Sequence, residues 1–251
     1  MVFFGLLWAP LGQEAFLVDH WMRLGVYLAP VMVLVFFCRP SEETQWSLSN
    51  FKAMSLVMLV FYIVHQFEEH WIDLLGKNYA FHSFVNDLIA SALGRNSSDF
   101  EVLTPNAIFM INTSLVWLLG FLAILADRSH RFPALCFNSI LLINAVAHLL
   151  TTVTQRVYNP GLLTSIVLFI PFSVCFYRNA WKIKLAGTGQ IVLSLVWGFL
   201  AHIIMVAGLV GANWFDLYPE TVYSLMLVVW SIIPVFFFRF SERTYERTRD
   251  L

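Results

Sequence analysis

The chain has 251 residues, of which 59% are hydrophobic and 12% charged, with a formal net charge of -1. That balance, with a positive mean hydropathy, lies far from a soluble domain's. The net charge itself says nothing about partners, because the distribution of charge matters more than its sum; no nucleic-acid partner is expected. Cys38, Cys136 and Cys175 lie far apart, which suggests small apolar fillers rather than a disulfide framework or a metal-binding spacing.

Residues 1–21 are apolar and aromatic but interrupted by Pro10, Gly12, Gln13, Glu14 and Asp19. No basic n-region precedes them and no small-residue cleavage site follows, so an interfacial or re-entrant segment is expected rather than a signal peptide. Spans are then predicted at Met22–Cys38, Ala53–Leu75, Asn106–Ala126, Ala134–Gln155, Leu162–Tyr177, Thr188–Gly211 and Thr221–Phe238. Most approach the ~20 residues needed to cross a hydrocarbon core. Residues 76–105 read as an outer loop with room for one short amphipathic helix. Pro171 and Pro234 are expected to kink their helices. No internal repeat or second domain is visible. The fold class is therefore all-α, a polytopic transmembrane helix bundle of about seven spans forming a single integral membrane domain over 1–251.

Lysine and arginine set the expected orientation. With the C-terminus cytoplasmic, eleven basic residues fall on that side and only Arg23, Lys77, Arg95 and Arg156 on the other. The N-terminus is expected outside, in a multi-pass protein of the cell (inner) membrane.

Within the second span stands His65-Gln66-Phe67-Glu68-Glu69-His70. A central charged residue costs roughly 2.5–3.5 kcal/mol on translocon scales, so four ionisable groups in this span point to a functional site. His65, Glu69 and Asp73 repeat at i+4 with Glu68 beside them, while Asn144, His148, Thr151, Thr152 and Gln155 line the fourth span. His202 shares a face with Gly198 on the sixth, where the glycine allows a neighbour to approach. His65, His148 and His202 each lie about 12–14 residues along an outward-running helix, so one plane in the outer half of the bilayer is expected to hold all three. Asn112 can join them. His70 is expected at the interface, and His20 and His82 at the surface.

Imidazole and carboxylate on facing helices are ordinary ligands of Zn, Fe or Mn. A metal held by His65, Glu68, Glu69, His148 and His202 is one reading, with Asn144 orienting a ligand and a free glutamate acting as general base. The other is metal-free. In it Glu68 and Glu69 share a proton, and Asn144 with His148 supply hydrogen bonds to a developing oxyanion. Tyr158-Asn159-Pro160-Gly161 reads as the turn that starts the fifth span, with Tyr158 placed to cap the site.

His65-x-x-Glu68-Glu69, then Asn144-x-x-x-His148, then Tyr158-x-Pro160-Gly161 resembles the HXXEE-domain family of integral membrane proteins over roughly residues 60–175. The resemblance implies a multispan helical fold with a shared intramembrane site and no particular activity. The segment from Lys77 to Pro105 departs from the short turn usual in that family. A weaker likeness in site chemistry is to CAAX-type intramembrane proteases, whose arginine four residues after the glutamate pair is replaced here by Asp73. Emopamil-binding-type sterol isomerases offer a third comparison, through aromatics around carboxylates.

The expected function is a membrane-embedded, hydrolase-like enzyme, metal-assisted, acting on a lipid or other apolar small molecule that enters from the bilayer. A proton- or cation-coupled transporter using the same groups is the alternative. Transporters commonly show paired half-repeats and broken helices, neither of which is visible in the sequence.

Overall fold

A computed structural model describes residues 15–38, 50–96, 101–126 and 130–249, the last segment with side chains to Phe237. Eight helices run in chain order with no strand among the described residues. They are α1 (Ala15–Phe37), α2 (Phe51–His70), α3 (Ala80–Ala92), α4 (Pro105–Leu125), α5 (Phe132–Gln155), α6 (Leu162–Lys182), α7 (Thr188–Asn213) and α8 (Glu220–Arg249). All but α3 are long and apolar enough to cross a membrane, so the protein is a multi-pass helical bundle.

Helix starts follow local chemistry. Asn50 Oδ1 accepts from the backbone N–H groups of Lys52 and Ala53 to cap α2. Thr104 caps α4 by accepting from Ala107 N–H at 3.0 Å, with Pro105 in the first turn where its missing N–H costs nothing. Arg156 closes α5 in a left-handed conformation, φ 55°.

α5 is the central post. It packs against α2, α4, α6, α7 and α8, and every residue from Phe132 to Leu141 is buried. α7 approaches α5 closely because Gly198 faces Ser139, whose Oγ would collide with any Cβ there. The expected role of Gly198 is borne out.

Two helix boundaries near the polar cluster differ from expectation. α1 begins by Ala15, so residues 15–21 are continuous with the helix of the first candidate span. Residues 1–14 lie outside the described residues. Asp19 and Arg23 break the hydropathy yet sit one turn apart on a single face of α1, so the helix accommodates them. α2 ends at His70 rather than Leu75. Beyond it Asp73 pins a turn, its Oδ1 accepting from Leu75 N–H at 2.9 Å and Lys77 N–H at 2.8 Å, so Asp73 does not extend the polar stripe. The expected short helix in 76–105 is α3. Cys136 is a buried filler, whereas Cys38 and Cys175 are exposed.

Two spans are not α-helical throughout. α4 is π-helical from Ile111 to Leu118, and α6 from Ser165 to Phe169. Pro171, which has no N–H to return to the previous turn, stands two residues past the end of the second stretch. α8 continues as a helix through Pro234. Both π stretches border the polar residues of α2, a location where such distortions are often found.

Candidate metal centre

Glu69 stands at the middle of the polar cluster and is 5% exposed. Its Oε1 lies 3.0 Å from His148 Nε2 and 3.3 Å from His65 Nε2, and its Oε2 lies 3.4 Å from His70 Nε2. His65 and Glu69 meet because they are one turn apart on α2. His148 arrives from α5, its ring edge-on to His65 with centroids 5.0 Å apart. Among the described residues, His65, Glu69 and His148 are the one group of three or more metal-ligating side chains that could hold an ion. Ligand atoms on a tetrahedral ion with bonds of about 2.0–2.1 Å stand roughly 3.3 Å apart, so these spacings fit one.

Glu68 turns the other way. Its Oε1 accepts from the Tyr158 hydroxyl at 2.7 Å and Leu163 N–H at 3.1 Å. Its Oε2 accepts from the Thr164 N–H at 2.8 Å and hydroxyl at 2.6 Å. The two backbone donors belong to the first turn of α6, where N–H groups have no partner within the helix and a negative charge is favoured. Burial, and then the bond to Glu68, hold the Tyr158 phenol well above its ordinary value, so it stays a donor. Four donors saturate an ionised carboxylate and leave Glu68 no free lone pair of ordinary geometry.

These contacts fix where protons lie. The Thr164 hydroxyl has one hydrogen and gives it to Glu68, so at 2.7 Å it accepts from His65 Nδ1. His65 therefore carries its proton on Nδ1 and turns an Nε2 lone pair toward Glu69. A second chain fixes His70. Trp117 Nε1, a donor only, bonds Gln66 Oε1 at 2.9 Å, so Gln66 Nε2 donates to Asn112 Oδ1 at 2.8 Å. Asn112 Nδ2 then donates to His70 Nε2 at 3.2 Å, and that nitrogen too is a lone pair. The π register makes this possible. Asn112 and Trp117, five residues apart, share a face in an i→i+5 helix, whereas in an α-helix they would diverge by about 140°.

Two imidazole lone pairs thus face one carboxylate at 3.3–3.4 Å. Each of these lone pairs also accepts an amide N–H, from Asn144 on His65 and from Asn112 on His70, so neither is left without a donor. The donor set fits a divalent metal of the Zn, Fe or Mn type. His148 Nδ1 is buried with no hydrogen-bond partner, so nothing fixes that ring's tautomer. Asn144 Nδ2 donates to His65 Nε2 at 2.9 Å and to the Tyr62 hydroxyl at 3.3 Å, so it holds His65 at the nitrogen that faces Glu69 rather than from behind.

The turn 156–161 closes over the cluster through Gly161. Its φ is +94°, and a Cβ there would lie 2.8 Å from Cε1 of both His65 and His148. Phe169, fully buried at the end of the π stretch of α6, covers His65 from the other side at 4.5 Å between centroids.

Of the residues singled out from sequence, His65, Glu69, His148 and Asn144 come together. Glu68 touches none of the converging atoms and acts on His65 through Thr164. His202 is not brought in, its Nδ1 donating to Gly198 O at 2.8 Å on its own helix. His70, expected at the interface, is 7% exposed and belongs to the cluster, because the end of α2 is enclosed by Trp21, Phe81 and Asn112. His82 is partly exposed and pairs with Glu101 at 2.7 Å. Sequence reasoning did not reach Thr164, Gln66 or Trp117, whose only signal was a polar or indole group on an apolar helix.

No curated protein and no solved structure matches the chain. Residues 56–176, which hold Glu69 and every group within hydrogen-bonding distance of it, match the family described as "Protein of unknown function with HXXEE motif", and the resemblance read from three motifs is thereby borne out: the chain carries an HXXEE domain.

Proposed function

We propose that this protein is a membrane-embedded enzyme whose His65–Glu69–His148 site holds a divalent metal and serves hydrolysis or related chemistry on a lipid or other apolar substrate. One observation carries the reading. Three imidazole nitrogens converge on a single buried carboxylate, and His65, Glu69 and His148 bring one ligand atom each to within 4.8 Å of one another. Building that costs several kcal/mol of carboxylate desolvation, which a purely structural cluster would have no reason to incur.

When bound, a Zn, Fe or Mn ion supplies Lewis acidity toward a carbonyl or phosphoryl oxygen. The chain's own residues do the rest. Thr164 and Glu68 hold the His65 ring and raise its basicity, the usual task of groups behind a metal-binding histidine. Glu69 Oε2 faces His70, the cluster member that also lines a cavity. Gly161 and Phe169 exclude water from the opposite sides. With the basic C-terminal tail in the cytoplasm, the site falls in the outer half of the bilayer.

A metal-free reading has one observation in its favour. Asn144 Nδ2 donates into the His65 Nε2 lone pair, which suits a site where Glu69 holds a proton. Such a site serves acid–base catalysis or proton-coupled transport.

Elemental analysis of detergent-purified protein separates the two. One equivalent of Zn, Fe or Mn in the wild type, absent from Glu69→Gln and His148→Ala, is the expected result. Protein that binds none, purified without chelators and after metal addition, overturns the metal reading in favour of the second.

A further inference from the structure

A cavity of about 320 Å³ opens beside the cluster, bounded by α1, the end of α2, the start of α3 and the start of α4. Its apolar wall is Val18, Trp21, Met22 and Ile108. Its polar wall holds Asp19 and Arg23, one turn apart on α1. Among the described residues neither has an ion-pair partner, and Arg23 lies over the Trp71 ring at 5.2 Å. His82 also lines the cavity, but its ring is taken by Glu101. Trp71 and Tyr79 complete a rim of the amphipathic aromatics that favour a membrane–water interface.

His70 joins this cavity to the catalytic cluster. Because Asn112 donates to its Nε2, the proton of the neutral ring stands on Nδ1, which makes no hydrogen bond to any described residue. The cavity thus offers one carboxylate, one guanidinium and one imidazole N–H beside an apolar wall. An anionic head alone would meet the charge of Asp19, and a cationic one that of Arg23.

We infer that this cavity binds a zwitterionic phospholipid head, its phosphate on Arg23 and the His70 N–H, its ammonium on Asp19, and its acyl chain toward Met22 and Ile108. Guanidinium suits phosphate through its planar fork of donors. The inference deepens the proposed function by naming the substrate class, since a head seated there lies next to His70, whose Nε2 is 3.4 Å from Glu69.

The test is native mass spectrometry of the full-length protein titrated with three lipids sharing one oleoyl chain: lysophosphatidylethanolamine, lysophosphatidic acid and monoolein. The zwitterion is expected to bind at least about tenfold tighter than either of the others, a difference of about 1.4 kcal/mol. Asp19→Asn should shift the preference toward lysophosphatidic acid, and Arg23→Gln should bring both phospholipids down to monoolein. Both positions are exposed, so neither substitution threatens the fold. Equal binding of the three lipids, tightest binding of lysophosphatidic acid by the wild type, or a preference that survives both variants would each overturn the inference. The readout is lipid binding alone, so protein found to lack metal leaves it standing, and Glu69→Gln should keep the lipid preference.

Discussion

Glu220 and Glu69 each gather partners from neighbouring helices, but Glu220 takes donors that keep their protons and Glu69 takes rings that exchange them. Glu220, in the first turn of α8, accepts from the Thr104 hydroxyl at 2.6 Å, Asn106 Nδ2 at 2.7 Å and Asn213 Nδ2 at 3.2 Å. Both carboxylate oxygens are matched to hydrogens, and the result is a clasp between α4, α7 and α8. At Glu69 the nearest groups are three imidazoles, two of them presenting lone pairs. The first arrangement is a set of fixed donors, whereas the second gathers side chains that can ligate a metal ion. A bundle can use the same side chain as a rivet or as a socket, and the protonation of its neighbours tells which.

Substitutions sharpen this contrast. Glu69→Gln should remove all bound metal while leaving the thermal unfolding temperature in detergent within a few degrees; a variant that keeps its metal would show Glu69 to be structural, like Glu220. Gly161→Ala forces a left-handed φ on a residue with a Cβ, costing about 1–2 kcal/mol, and drives that Cβ into both imidazoles. Loss of metal together with a lower unfolding temperature is expected, read by elemental analysis and a thermal melt. Thr164→Val cuts the link from Glu68 to His65 and should weaken metal binding about 10–100-fold, with Thr164→Ser restoring it. Competition against a chromophoric chelator measures that change. Glu220→Gln stands at the other pole: stability should fall by about 1–3 kcal/mol with metal content unchanged. A loss of metal in that variant would erase the distinction between the two centres.

The sequence made the helical frame and the heart of the site legible for a physical reason. Polar residues spaced i, i+4 on apolar helices must face protein, so His65 with Glu69 and Asn144 with His148 announced themselves. What stayed hidden depended on partners without a sequence period. Glu68 looks like the twin of Glu69, yet two of its donors are backbone N–H groups at the start of α6, and backbone carries no residue signature. His70 falls off the His65–Glu69 face in any α-helical projection. It is recruited by Asn112, whose bonding with Trp117 to one glutamine requires a π register that a 3.6-residue period does not describe. The start of α1 was misplaced because Asp19 and Arg23 lower the local hydropathy; the structure puts both on the wall of a cavity, where their charge faces space rather than lipid. His202 was over-read, since a lone histidine on an apolar helix satisfies itself with the carbonyl four residues back.

The π stretch of α4 also separates the two ends of that helix in rotational phase. Before it, Thr104 and Asn106 aim at Glu220, and after it Gly120 packs its bare face against Phe137 and Leu59. Relative to a regular α-helix, one residue gained or lost turns everything downstream by about 100°. α4 therefore works like a shaft with a slipped coupling, one end keyed to α8 and the other to α2 and α5. Asn112 and Trp117 sit at the slip itself, gripping Gln66, so the angle between the two keyed ends and the tautomer of His70 are set by the same few side chains.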